Sequence, residues 1–179
     1  MWNAGRSRAA AALLCVLAPG ALEAQSGKSD EAAFLRAVGE HFATPPGEVM
    51  VLSRWDLSTA EIPVVLRLAT RAGVPPDVVV AQRRRGASWL EIARTYSVHA
   101  GDFHVPINGS AGFLAAVYAR FEARVASEWR DVSLSDEELV GLVNVRFLSR
   151  SLGVPASSVL SELGGGDVVA AYIRLSGRY

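Results

Sequence analysis

Cysteine is almost absent from this chain of 179 residues, with Cys15 as its one representative. Cys15 lies in an apolar run near the N-terminus that we expect to be removed on export. The mature chain would then contain no thiol. A disulfide, a cysteine nucleophile and a thiolate metal site are therefore excluded from the expected mature protein, which suits an oxidising compartment.

A net charge of either sign is also lacking, because 18 basic side chains face 18 acidic ones. Loss of residues 1–24 would remove two arginines and Glu23, which leaves the mature chain close to neutral. Proteins that bind nucleic acid or anionic membranes without sequence preference rely on a positive field over the whole molecule. The composition therefore argues against such a function for the chain as a whole.

The N-terminal apolar run is too short to span a membrane. Arg6 and Arg8 precede "AAAALLCVLAPGAL", in which a proline–glycine pair interrupts the run before the length of about 20 residues that a spanning helix needs. A basic start, a short apolar run and the small-residue exit "LEAQSG" are typical of a secretory signal peptide. A membrane anchor is the less favoured alternative.

The signal peptide predicts where the protein acts. We expect residues 1–24 to be cleaved after Ala24, which makes the mature protein periplasmic or secreted. Lipidation of Cys15 is disfavoured, because Leu14 stands where a small residue should precede a lipidated cysteine. The small polar residues 25–29 are expected to form a flexible lead-in.

No segment alternates apolar and polar residues convincingly as a strand does, whereas a proline-led segment recurs. The segment "TPPGEVMVLSRWDLSTAEI" at 44–62 aligns with "VPPDVVVAQRRRGASWLEI" at 74–92 without a gap. A third, less complete copy, "GVPASSVLSELGGGDVVAAY", occupies 153–172. Proline is favoured in the first turn of a helix, so the recurring unit predicts helices that stack on one another.

Helix starts and stops are marked along the chain. Serine and glutamate three residues apart form a capping box, in pairs at Ser58/Glu61, Ser88/Glu91 and Ser135/Glu138. Glycines at 73, 86 and 153 are placed to end helices, because glycine accepts the left-handed conformation of a helix stop.

The pattern predicts an all-α protein, a compact bundle or stack of about eight to nine helices. Residues 30–107 are expected to form an N-terminal lobe of helical repeats, and 108–179 a C-terminal helical lobe. Helices are expected near 30–42, 46–54, 58–72, 76–85, 88–96, 110–130, 135–151, 156–163 and 167–176.

The expected helix at 110–130 has Ser110 as its N-cap and the most regular apolar stripe. Apolar residues recur there at steps of four, at Phe113, Val117, Phe121, Val125 and Trp129. We interpret the stripe as core packing rather than as a ligand platform. Trp55 and Trp89 are interpreted as plugs between neighbouring helices.

Residues 68–85 also resemble a helix-turn-helix, with Ala69, Gly73, Val74 and Val79 at the spacing of its tight turn. In DNA-binding members of that family, basic side chains on the second helix meet phosphates. The helix here carries Arg83, Arg84 and Arg85, which we take with Trp89 as candidate binding residues. Expected export and a near-neutral charge make nucleic acid an unlikely partner, so a basic patch facing solvent or a partner is favoured.

One loop concentrates polar side chains that could do chemistry. The loop "VHAGDFHVPIN" carries His99, Asp102, His104 and Asn108. A metal site needs three or more converging ligands, and the spacing of the histidines is not the helical one, so they are only weak metal candidates. The sequence has no nucleophile elbow, phosphate-binding glycine loop or dinucleotide motif. We therefore predict no catalytic residue and no cofactor.

Residues 44–104 resemble exported bacterial helical proteins of uncharacterised activity that carry the pattern V-P-x-x-V…G-x-x-W-x-E-I-A. The pattern is matched by Val74, Pro75, Val79, Gly86, Trp89, Glu91, Ile92 and Ala93. The resemblance covers about a third of the chain and implies an exported helical protein, with no catalytic residue to carry over.

The sequence as a whole favours an exported, non-catalytic helical protein that contacts another protein or the cell envelope. Two alternatives stay open. One is a nucleic-acid-binding protein of the helix-turn-helix kind, and the other is a small metal-dependent or hydrolytic enzyme. The enzyme would need a cleft in which His99, Asp102 and His104 converge with a further polar group.

Overall fold

Nine α-helices and four short 3₁₀ segments make up the computed structural model, which describes residues 19–164 and 166–177 and contains no strand in those ranges. The helices are α1 (Pro19–Phe42), α2 (Pro46–Leu52), α3 (Ile62–Ala72), α4 (Pro76–Arg84), α5 (Trp89–Thr95), α6 (Ala115–Glu122), α7 (Asp136–Leu152), α8 (Ala156–Leu163) and α9 (Val168–Leu175). The 3₁₀ segments are Thr59–Glu61, Ala100–Phe103, Gly112–Leu114 and Ala126–Asp131. The all-α prediction is confirmed.

Capping boxes start two of the helices as expected. The hydroxyl of Ser88 accepts the backbone N–H of Glu91 at 3.3 Å at the start of α5. At the start of α7, Ser135 accepts the N–H of Glu138 at 3.2 Å. Each box satisfies N–H groups that the first turn of a helix leaves without partners.

Glycines end α3 and α7 in nearly the same geometry. Gly73 and Gly153 have φ values of 67° and 66°, in the left-handed region that side chains rarely adopt. The N–H of Gly73 bonds to the carbonyl of Ala69, and that of Gly153 to the carbonyl of Ser149. The tight turns between α3 and α4 and between α7 and α8 therefore have the same local form.

The expected flexible lead-in at 25–29 is helical instead. Of the expected signal peptide, residues 1–18 lie outside the described part of the chain, whereas α1 begins at Pro19 and continues through Ala24 and 25–29. No proline occurs between Pro19 and Pro45. A helix anchored by its buried second half extends through such a segment, because each added residue adds one backbone hydrogen bond.

The expected single helix at 110–130 is wrong, because the structure divides this range into three shorter segments. Gly112–Leu114 and Ala126–Asp131 are 3₁₀ segments, and only Ala115–Glu122 between them is α-helical. Ser110 is not the N-cap of an α-helix, since its hydroxyl accepts the N–H of Gly112 at 3.2 Å in a local turn. The chain leaves the helix before Val125, whose backbone is extended (φ −71°, ψ 150°).

A tryptophan packs over the end of that helix. The indole N–H of Trp129 donates to the carbonyl of Phe121 at 2.9 Å, and its ring lies 5.4 Å from the Phe121 ring. Trp129 thus folds back over the end of α6 and donates to a carbonyl that also accepts the backbone N–H of Arg124 at 3.1 Å. The predicted apolar stripe is correct for Val117 and Phe121, which are buried, whereas Val125 is 63% exposed.

Helix α7 lies at the centre of the molecule and packs against α1, α3, α5, α8 and α9. It is buried almost all round, as expected for a helix surrounded by others. Phe34 of α1 contacts Phe147 of α7 at 5.7 Å and Tyr172 of α9 at 5.9 Å between ring centroids. The expected lobes therefore share one buried core. None of the described helices is both long and apolar enough to cross a bilayer.

Candidate functional site

A cleft of about 580 Å³ opens beside the first half of α7, within the size range of ligand-binding pockets. Its walls come from the Thr59–Glu61 segment, the end of α4, and the chain between α8 and α9. Apolar and polar side chains both line it. They are Ser58, Ala60, Glu61, Arg83, Phe113, Asp136, Glu137, Val140, Asn144, Leu163 and Val168, with Gly141, Gly164 and Gly166.

Asn144 in this cleft is the only polar or charged side chain that is buried within residues 25–164 and 166–177, with 2% exposure. Its Nδ2 donates to the carbonyls of Ala60 and Val140, both at 2.9 Å. Two carbonyl acceptors fix the orientation of the amide, because the reverse orientation would place oxygen against oxygen. The Oδ1 atom accepts no hydrogen bond from any described residue. A buried acceptor without a donor costs about 1–3 kcal/mol.

One wall of the cleft is a network of two carboxylates around Arg83. The guanidinium of Arg83 pairs with Glu61 at 3.0 Å and with Asp136, and lies 4.8 Å from the Trp89 ring centroid. The indole N–H of Trp89 donates to Glu61 at 3.1 Å, and its backbone N–H donates to Asp136 at 2.7 Å. The network joins α4, α5 and α7, so it holds the wall rigid.

Hydrogen bonding shifts the pKa values of Glu61 and Arg83 in the direction that favours their charged forms. Burial alone would raise the pKa of Glu61, but hydrogen bonds from Ser58 and the guanidinium of Arg83 outweigh burial and lower this pKa. Burial alone would lower the pKa of Arg83, but Asp136 and Glu61 outweigh it and raise the pKa. The box at Ser58 differs from the other two, since it starts a 3₁₀ segment in which the N–H of Glu61 bonds to the backbone carbonyl of Ser58 at 2.9 Å.

Phe113 lies at the rim of the cleft. It is 48% exposed, and a Cβ atom added to Gly141 would lie 2.9 Å from its ring. Gly141 therefore allows the ring to approach the backbone of α7 one turn before Asn144. An exposed aromatic ring at the rim offers apolar contact area to a molecule that enters the cleft.

The candidate binding residues occupy very different environments. The side chain of Arg83 is 26% exposed and held by its carboxylates, and Trp89 is fully buried, as the packing interpretation expected. Arg84 and Arg85 are exposed. The helix-turn-helix interpretation needs a row of basic side chains facing DNA. In the structure, two of the three arginines at the end of α4, Arg84 and its C-cap Arg85, are exposed to solvent.

The weak metal candidates do not converge. Asp102 accepts the backbone N–H of His99 at 2.8 Å and pairs with Arg71 at 3.0 Å. The ring of His104 lies 4.2 Å from the Trp129 ring, and burial followed by the charge of Arg146 lowers its pKa. No group of three or more His, Cys, Asp or Glu residues is placed to hold a metal ion in the described ranges. Asn108 is exposed.

Sequence reasoning missed Asn144 and the ion pairs through which Arg83 joins Glu61 and Asp136. A signal for Asn144 exists, because it is the one amide in the apolar run "LVGLVNVRFL" at 139–148. A polar residue on the buried face of a helix marks either a structural hydrogen bond or a site. These ion pairs had no local signal, because Glu61 and Asp136 are 75 residues apart in sequence.

Comparison of the chain with protein-family models, curated protein sequences and solved structures gave no match. The functional argument therefore rests on the geometry of the cleft.

Proposed function

We propose that this chain is an exported, non-catalytic binding protein whose cleft receives a segment of a partner protein. The observation that carries the proposal is the buried Oδ1 of Asn144, a residue of the cleft lining, which accepts no hydrogen bond from the described residues. A partner that donates an N–H or O–H to this atom would remove the cost of leaving it unsatisfied.

The lining of the cleft defines the partner's chemistry. Phe113, Val140, Leu163 and Val168 offer apolar surface for an apolar side chain. Three carboxylates and one arginine line the cleft, so a basic residue in the segment is favoured over an acidic one. A short peptide segment with a hydrogen-bond donor, an apolar side chain and a basic neighbour meets all three requirements.

The non-catalytic part of the proposal is supported by the partners of the reactive side chains. Asp102 caps the segment that His99 begins, and His104 is packed among aromatic rings. In the cleft, Glu61 and Asp136 are both engaged by Arg83. A general acid or base needs an oxygen that is free to contact a substrate, whereas both carboxylates are occupied by Arg83 and by N–H groups of Trp89.

The test is a selection of peptides from a random library on the purified protein, followed by affinity measurements on two variants. Val140→Phe fills the cleft with a larger side chain. Val78→Phe makes the same change at a 39% exposed position of α4 that lies outside the cleft. We expect the selected peptides to bind Val140→Phe at least about tenfold more weakly than wild type, and Val78→Phe equally well.

Two outcomes would contradict this proposal. One is that the library yields no peptide that binds. The other is that Val140→Phe, with an unchanged melting temperature, binds the selected peptides as tightly as wild type does. Enriched sequences without a basic residue would leave the cleft as the site but refute the proposed charge preference.

Export is tested separately with a reporter. Residues 1–29 fused to alkaline phosphatase, which is active only outside the cytoplasm, should give activity and a processed product that begins at Gln25. An unprocessed, inactive fusion would contradict export and strengthen the nucleic-acid alternative.

A further inference from the structure

Four arginines gather on the side of α3 and α7 that meets the loop at 99–104, with Asp102 as their one carboxylate partner in the described residues. Two come from α3 and two from α7, one helical turn apart in each case. The arginine cluster consists of Arg67, Arg71, Arg146 and Arg150.

Two members of the cluster converge on a single oxygen atom. The guanidinium nitrogens of Arg67 and Arg146 donate to the carbonyl of Asp102 at 3.3 and 3.2 Å. Arg146 also donates to the carbonyl of His104 at 2.6 Å. These contacts hold the loop, but a carbonyl carries no net charge and therefore neutralises neither arginine.

The other two members lie further out. Arg71 is 51% exposed and pairs with the carboxylate of Asp102 at 3.0 Å. Arg150 is exposed, and its side chain makes no hydrogen bond or ion pair with a described residue. Four positive charges with one negative charge leave a local excess of positive charge in a chain that is neutral overall.

Burial and this excess together lower the pKa of an arginine in the cluster and of a nearby histidine. Burial, followed by repulsion from Arg146, Arg71 and Arg150, lowers the pKa of Arg67 to about 10. Burial and the charges of Arg150 and Arg67 lower the pKa of His41, which lies next to the cluster on α1. An anion placed among these side chains would relieve the repulsion.

We propose that the arginine cluster binds a phosphate group, with Arg71 and Arg150 contacting it and Arg67 and Arg146 fixing the site from below. Guanidinium groups bind phosphate oxygens through paired N–H donors, and several of them suit a dianion better than a single carboxylate does. The phosphate could belong to a soluble phosphorylated molecule or to the head group of an envelope lipid. This site is separate from the cleft, so the two proposals stand or fall independently.

The first arm of the test is calorimetric titration with pyrophosphate. The double variant Arg71→Gln/Arg150→Gln removes the outer two charges. The double variant Arg84→Gln/Arg85→Gln removes two exposed charges at the C-terminal end of α4 and is the matched control. We expect wild type and control to bind pyrophosphate alike and the cluster variant to bind about tenfold or more weakly.

The second arm is flotation with phosphatidylcholine vesicles with and without phosphatidylglycerol. Binding that needs phosphatidylglycerol and is lost in the cluster variant assigns the phosphate to a lipid, whether or not pyrophosphate binds. Pyrophosphate binding without vesicle binding assigns it to a soluble molecule.

Thermal melts establish that both double variants fold. The proposal is overturned if wild type binds neither probe at physiological salt, or if the α4 control loses as much binding as the cluster variant. The latter result would mean that net charge, and not this arrangement of arginines, attracts the anion.

Discussion

Arg83 differs from its two neighbours in sequence because its guanidinium lies between two carboxylates. Its side chain joins α4 to Glu61 and to Asp136 at the start of α7, whereas Arg84 and Arg85 are exposed. The sequence of three adjacent arginines therefore does not indicate which of them forms ion pairs within the fold. Arg83 does so because Glu61 and Asp136, which are largely buried, face it.

Arg83→Ala is expected to lower the free energy of unfolding by about 1–3 kcal/mol, since it leaves two carboxylates without their cation. The value lies below that for a fully buried pair, because 26% of the Arg83 side chain is exposed. Arg84→Ala should change stability by less than about 0.5 kcal/mol. Urea denaturation of both variants measures the difference. Equal stabilities would contradict the network.

Ser88→Ala is expected to cost about 0.5–2 kcal/mol, because it removes the acceptor of the Glu91 N–H at the start of α5. Ser127→Ala is the control, since Ser127 is exposed and its hydroxyl makes no hydrogen bond to a described residue. Thermal melts compare the two. An unchanged melting temperature for Ser88→Ala would refute the cap.

Stability should fall as the pH drops below about 6.5, the ordinary pKa of histidine. The folded protein lowers the pKa of His104, first by burial and then through the charge of Arg146. The unfolded chain therefore binds a proton at a pH where folded His104 stays neutral, and protonation favours unfolding. His41 contributes in the same direction.

The variant His104→Phe tests this, because phenylalanine can occupy the same aromatic surroundings without titrating. Denaturation at about pH 7.5 and about pH 5.5 should show a smaller loss of stability in His104→Phe than in wild type. An identical loss in both proteins would show that His104 is protonated equally in the folded and unfolded states.

At the scale of elements, the local signals of helix ends predicted most boundaries, and long-range contacts decided the exceptions. Proline pairs, capping boxes and glycine stops place α2, α4, α5, α7 and α8 within two residues of the expected positions. The prediction of one helix at 110–130 failed although the apolar residues there recur at helical spacing. The chain turns after α6, and Trp129 folds back and bonds to the carbonyl of Phe121. Periodicity describes one face of a helix and carries no information about a side chain that folds back.

A glycine stop gives an element-scale prediction. Gly153→Ala should destabilise the protein by about 1 kcal/mol or more, because alanine is strained at a φ of 66°. Gly47→Ala is the matched control, since Gly47 lies within α2 and an added Cβ would meet no atom within 4 Å. That variant should be neutral or more stable. Denaturation curves of the two variants measure their free energies of unfolding, and Gly153→Ala should be the less stable by at least about 1 kcal/mol. Equal stabilities would contradict the glycine stop.

At the scale of the whole molecule, the cleft brings together segments that are distant in sequence. Residues 58–61, 83, 113, 136–144, 163–164 and 166–168 meet only because α7 lies at the centre of the core. The sequence predicted helices that stack, but it could not predict which pair of them would leave a gap. The buried amide of Asn144 is a candidate binding group only because it lines that cleft.

The most direct test of the central claim, that the cleft receives a partner protein, is photo-crosslinking in living cells. A photoreactive phenylalanine analogue at Phe113 lies at the rim of the cleft, and the same analogue at Val78 lies on the exposed face of α4. We predict a discrete crosslinked product from position 113 that is absent from position 78 and is lost when Val140→Phe fills the cleft. The same products from both positions, or a product from position 113 that persists in Val140→Phe, would contradict the account.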